Sequence, residues 1–133
     1  EAALSDLKNI LQIKPNDFVA RSNIALLKKE QGDSVNAKSD FILLLTERPK
    51  DVISINALAE IEMTNKNFQT ALDYTEKAIR INSEYANAYL TSGRIRLCLE
   101  QKDLACQDFR IASQYANGEL SEYLAGNIED CNR

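Results

Sequence analysis

The side chains that most often carry catalysis are scarce in this sequence of 133 residues. It contains no histidine, so the commonest general base and the commonest metal ligand are absent. The three cysteines lack the paired short spacings of a zinc site, and no phosphate-binding loop or nucleophile elbow occurs. Neighbouring carboxylates such as Glu129 and Asp130 diverge along a helix instead of facing one another. We therefore expect a non-catalytic protein that binds neither a metal nor a cofactor.

The composition is that of an ordinary globular chain, with 44% hydrophobic and 27% charged residues. The formal net charge is −4 and the basic residues are scattered, which argues against a nucleic-acid partner. No apolar run is long enough to span a bilayer, so we do not expect this segment to insert into a membrane. The chain opens with Glu-Ala-Ala and no initiator Met, which we interpret as a processed or trimmed piece of a longer protein.

A period of 34 residues organises the chain. Alanines recur at this spacing, at Ala3, Ala37, Ala71 and Ala105. Residues that break helices keep the same step, at Pro15, Pro49, Ser83 and Asn117. A fixed period of this size predicts a fold built by stacking copies of one small unit.

Each unit has the pattern of two antiparallel helices. From Phe18 onward, apolar residues follow helical spacing until Gln31-Gly32-Asp33, where Gly32 suits a turn and Asp33 or Ser34 can cap the next helix. A second apolar stripe then runs to Pro49, and Asp51 can cap the helix that follows. The predicted fold class is therefore all-α. The predicted parts are 1–17, the second helix of a truncated unit; 18–51, 52–85 and 86–119, three full units; and 120–133, a capping helix with a polar outer face.

This pattern resembles the tetratricopeptide repeat. Ala37 with Phe41 and Ala105 with Phe109 match its second helix, and Tyr89 with Gly93 matches its first; Pro15 and Pro49 match the closing proline. Charged residues replace the tyrosine that is usual in the first helix, at Lys28, Glu62 and Arg96. The resemblance implies a right-handed superhelical stack of antiparallel helix pairs, with about 3.5 repeats before the capping helix.

In this family the first helices line a concave groove that holds a peptide or a partner helix. Transferring the inward positions gives the predicted ligand contacts: Asn23, Leu26, Lys29, Asn56, Glu60, Met63, Asn87, Leu90 and Arg94. The same transfer puts Val19, Ile53 and Leu97 on the inner wall. Each position is alternatively part of an ordinary solvated helix face, since few contact residues carry binding energy. With no close basic pair, the wall is not expected to hold a terminal carboxylate as some repeats of this family do.

We predict a non-catalytic binding module or scaffold that holds a peptide or partner protein in its concave groove. The alternative is a structural segment that self-associates, or stacks on further repeats, through its amino-terminal helix. That helix has lost its preceding neighbour, so Leu4, Leu7 and Leu11 would form an apolar edge that could support a weak homo-oligomer.

The cysteines bear on the cellular compartment. If the last two helices fold back at Asn117-Gly118, Cys106 and Cys131 lie at similar heights and could form a disulfide. The alternative is three unpaired thiols, with Cys106 packed as a small hydrophobe. The run from Ala105 to Ala112 with a terminal cysteine is similar to the closing repeat of bacterial repeat proteins, often exported ones. We therefore favour a periplasmic or cell-envelope location over the cytoplasm.

Overall fold

A computed structural model describes residues 2–13 and 17–133, with side chains described for 5–12 and 17–133. These residues form eight α-helices and no strand. The helices are α1 (Ala2–Ile13), α2 (Phe18–Glu30), α3 (Ser34–Glu47), α4 (Val52–Thr64), α5 (Phe68–Ile81), α6 (Ala86–Cys98), α7 (Lys102–Tyr115) and α8 (Gly118–Cys131). The predicted all-α stack of helix pairs is confirmed. Three features of the predicted repeat pattern lie outside the residues and side chains that the structure describes: Pro15 and the side chains of Ala3 and Leu4.

The 34-residue step is visible in the turns that join the two helices of each unit. Gly32, Lys66 and Glu100 occupy equivalent positions, and all three have left-handed backbone with φ of 86°, 65° and 60°. Glycine adopts this conformation without steric cost, whereas lysine and glutamate adopt it less readily. The same tight turn is therefore kept in all three units even where the residue type does not favour it.

Aspartates at helix amino termini end the loops between units. The Asp17 carboxylate accepts a hydrogen bond from the Ala20 N–H at 2.8 Å, which satisfies one of the free donors at the start of α2. Asp51 is the residue that precedes α4, as predicted, but its side chain caps no backbone N–H. It instead accepts a hydrogen bond from the Ser54 hydroxyl.

The core lies between the first and second helices of the stack. The in-phase alanines Ala37, Ala71 and Ala105 are fully buried, which lets neighbouring helices approach closely. Larger side chains fill the spaces around them. In the first two units these include Phe41, Leu44, Leu58 and Ile61, and near the carboxyl end Phe109 and Leu124.

The charged residues that replace the family's tyrosine all form ion pairs between helices. The first and third units use equivalent positions, a cation on the first helix and an aspartate on the second. The middle unit has a buried glutamate that pairs with the preceding unit instead. The pairs are Lys28 with Asp40, Arg96 with Asp108, and Glu62 with Lys38, at 2.8, 3.3 and 3.0 Å.

The two ends of the stack differ. Helix α8 packs on α7, where Leu124 is fully buried and a disulfide joins Cys106 to Cys131, whose Cα atoms are 5.9 Å apart. Cys98 is free and exposed. Helix α1 packs on α2, with Leu7 and Leu11 half-buried.

Candidate binding groove

The inner wall of the stack is formed by α2, α4 and α6. Helix α2 contacts α4, and α4 contacts α6, while α3 and α5 each pack between successive first helices. This arrangement puts the first helices of three units side by side. Their inward faces therefore form one continuous surface on which a ligand could lie.

The most exposed apolar side chains of this wall are Val19, Ile53 and Leu97, which are 64%, 47% and 45% exposed. Val19 and Ile53 occupy equivalent positions at the start of α2 and α4. Leu97 lies near the opposite end of α6. Sequence reasoning put all three on the inner wall but not among the ligand contacts, although their exposure makes them the apolar groups that a ligand can reach.

Lys29, Glu60 and Asn56 form a polar cluster between α2 and α4. The Lys29 ammonium donates to Glu60 Oε2 at 2.9 Å, and Asn56 Nδ2 donates to Glu60 Oε1 at 3.3 Å. Asn56 is buried, and its Oδ1 has no hydrogen-bond partner among the described residues. Both oxygens of Glu60 are thus engaged, and the positive charge of Lys29 is balanced within the wall.

Tyr85, which sequence reasoning did not single out, links this cluster to α6. Burial, and after it the carboxylates of Glu60 and Asp51, raise the pKa of the Tyr85 hydroxyl above its ordinary value, against a hydrogen bond with Asn87 that lowers it. The hydroxyl therefore stays protonated over the physiological range. The sequence feature that could have identified Tyr85 is its position just before α6, which is equivalent to the position of Asp51 before α4.

Arg94 is the uncompensated charge of the wall on α6. It is exposed, and it forms no hydrogen bond or ion pair with any residue that the structure describes. Asn23 and Asn87 are exposed as well. The positions predicted to face inward therefore include exposed polar side chains as well as exposed apolar ones.

The predicted apolar contacts Leu26, Met63 and Leu90 are less exposed than Val19, Ile53 and Leu97. Each predicted contact is partly buried and packs against a separate cluster of core residues. Leu26 also lines a depression of about 440 Å³ between α1 and α2. Its lining residues are Asp6, Leu7, Asn23, Leu26, Leu27 and Glu30.

Over residues 2–13 and 17–133, no helix is long and apolar enough to cross a membrane. Within the same ranges, no three acidic, cysteine or histidine side chains converge as metal ligands would.

No protein-family model and no curated protein matches the sequence. Solved structures of helical-repeat solenoids do resemble the chain. TTC0263, a thermophilic TPR (tetratricopeptide repeat) protein of Thermus thermophilus, has a TM-score of 0.82 at 19% identity, over 96% of this chain and 70% of that chain. The Type III secretion translocator chaperone SycD of Yersinia enterocolitica has a TM-score of 0.78 at 15% identity, over 86% and 91%.

A third structure, the first TPR of Spaghetti (RPAP3) bound to the HSP90 peptide SRMEEVD, has a TM-score of 0.70 at 18% identity, over 87% of this chain and 94% of that chain. At these identities the similarity concerns the fold alone. The chain has the tetratricopeptide-repeat fold, as its sequence pattern predicted.

Proposed function

We propose that this chain is a non-catalytic binding module that holds an extended peptide, or a segment of a partner protein, on the wall formed by α2, α4 and α6. The observation that supports it best is the exposure of Val19, Ile53 and Leu97 on the same wall as the exposed side chains of Asn23 and Arg94. Apolar groups exposed on a concave surface beside polar groups are typical of interaction sites.

The charges of the wall favour a ligand without a strong acidic character. The basic side chains Lys29 and Arg94 are matched by the acidic Glu30 and Glu60, and Lys29 is already paired. The HSP90 peptide in the Spaghetti complex carries three acidic residues. We do not transfer that ligand, because this wall has no free basic pair to receive it.

A selection from a random peptide library followed by fluorescence anisotropy tests the proposal. The selected peptides should bind Ile53→Asp about tenfold or more weakly, since a buried carboxylate would replace an apolar contact. Arg94→Ala should reduce binding less. Leu104→Asp is the matched control, because Leu104 is 40% exposed and lies on α7, away from the wall. Failure to select any peptide, or equal losses for Ile53→Asp and Leu104→Asp, would contradict the groove as the binding site.

A further inference from the structure

The outermost residues of α3 lack the charges that their equivalents carry, while the ion-paired side chains of Lys38 and Asp40, 42% and 36% exposed, lie beside them. The exposed residues of α3, called here the α3 face, are Val35, Asn36, Ser39, Ile42, Leu43, Thr46 and Glu47. The only ionised member, Glu47, is paired with Arg21 at 2.7 Å. The exposed residues of α5, which occupy equivalent positions 34 residues later, are Gln69, Thr70, Asp73, Glu76, Lys77, Arg80 and Ile81. Four of those seven residues are charged, so the α3 face is not a general property of the outer helices.

The apolar members of the α3 face are well exposed. Val35, Ile42 and Leu43 are 78%, 46% and 55% exposed. Two polar members of the face already have hydrogen-bond partners within the chain. The Thr46 hydroxyl donates to the Leu43 carbonyl at 2.6 Å, and the Asn36 amide donates to Asp33 at 2.9 Å. Covering this face would therefore bury apolar surface while leaving few unsatisfied donors.

We propose that the α3 face is a contact between two copies of this chain. In a two-fold contact the same patch meets itself, so every charge in the patch risks facing its own copy. The α3 face has no free charge, whereas the chain as a whole carries a net charge of −4 that opposes self-contact elsewhere. Because Glu47 and the neighbouring Lys38 and Asp40 are all paired within one copy, two copies meet at this surface with little electrostatic cost.

The spacing of the face suits an antiparallel pair of α3 helices. Ser39 is small and lies near the middle, with Val35 four residues before it and Leu43 four residues after it. A two-fold axis at Ser39 brings Val35 of one copy against Leu43 of the other and lets the backbones approach closely. A helix of 14 residues is about 21 Å long, so the contact falls among interfaces smaller than about 1,200 Å². The dimer is accordingly weak and depends on concentration.

Cross-linking at the axis tests the geometry. In a Cys98→Ser background, Ser39→Cys should give a disulfide-linked dimer, because the two sulfurs would face each other across the axis. Asp73→Cys, the equivalent exposed position on α5, is the matched control and should remain largely monomeric. Equal cross-linking of the two variants would overturn the proposal.

Sedimentation equilibrium measures the association itself. The double variant Val35→Glu with Ile42→Glu should weaken dimerisation about a hundredfold or more, because it sets like charges against each other in a small interface. Leu104→Glu, which adds the same kind of charge on α7, should leave it unchanged. A chain that stays monomeric up to millimolar concentration would overturn the proposal. So would a dimer that is lost in Leu7→Glu but kept in the double variant, since that result assigns the contact to the amino-terminal edge.

Discussion

Helices α1 and α8 close the two ends of the stack, and both carry an apolar stripe, but they are buried very differently. In α8, Leu124 is fully buried, and Leu120 and Ile128 pack around the same cluster beside the disulfide. Among residues 5–12 of α1, no side chain is buried, and Ile10 is 42% exposed. An apolar stripe alone therefore does not anchor a terminal helix. In α8 the stripe also packs into a closed cluster with Phe109 of α7.

Truncating one leucine on each end helix tests this contrast most strongly. Leu124→Ala should lower the free energy of unfolding by about 3 to 5 kcal/mol, since it leaves a cavity in a closed cluster. Leu7→Ala should cost about 1 kcal/mol or less, because Leu7 is only partly removed from water. Urea unfolding of both variants gives the comparison. Similar losses would mean that α1 is anchored as firmly as α8.

Reducing the disulfide should leave α8 less firmly anchored, and so closer to the state of α1 at the amino-terminal end. The bond closes a loop across 25 residues, so its reduction should cost about 3 kcal/mol. Reduction in a Cys98→Ala background, followed by thermal unfolding, measures this loss, and the same variant left unreduced is the control.

Counting thiols tests whether the disulfide exists in the protein. Alkylation of the unfolded, unreduced chain should label Cys98 alone, and labelling of all three cysteines should require prior reduction. Three labelled thiols without reduction would show that the pairing is wrong.

Two glycines sharpen the comparison at a smaller scale. A Cβ added at Gly93 would lie 2.5 Å from Phe109 Cε1, so Gly93→Ala should cost about 1 to 3 kcal/mol. A Cβ added at Gly126 of α8 meets nothing within 4 Å, so Gly126→Ala should stabilise the helix by about 0.5 to 1 kcal/mol. The melting temperatures of the two variants, measured by differential scanning calorimetry, should therefore shift in opposite directions from that of the wild type. A shift in the same direction would contradict the close fit of Phe109 on α6.

The sequence predicted the regular part of the fold because that part depends on spacing alone. Alanines 34 residues apart predicted stacked helix pairs, and Gln31-Gly32-Asp33 predicted a turn where α2 ends. The sequence could not predict that Lys29 pairs with Glu60, because this contact depends on how α2 and α4 pack side by side. The burial of Asn56 was missed for the same reason. A position counted as inward from helical spacing can be exposed or covered, and only the neighbouring helix decides which.

The smallest expected effect concerns two equivalent ion pairs, Lys28 with Asp40 and Arg96 with Asp108. The carboxylate of Asp108 is 14% exposed against 36% for Asp40. Burial raises the pKa of Asp108 above its ordinary 3.8, although a hydrogen bond from Ser92 and the charge of Arg96 lower it. The folded chain therefore takes up this proton more readily than the unfolded chain does.

It follows that ionisation of Asp108 is less favourable in the folded chain than in the unfolded chain, and that this penalty is lost as the pH falls through the raised pKa towards 3.8. Asp108→Asn removes the titrating group. The stability of the wild type relative to this variant should therefore rise on acidification over that window, as measured by urea unfolding at several pH values. Gln107→Asn, an exposed change on the same helix, should show no such pH dependence relative to wild type. A difference that stays constant with pH, or falls on acidification, would mean that the attraction of Arg96 outweighs the cost of burying Asp108.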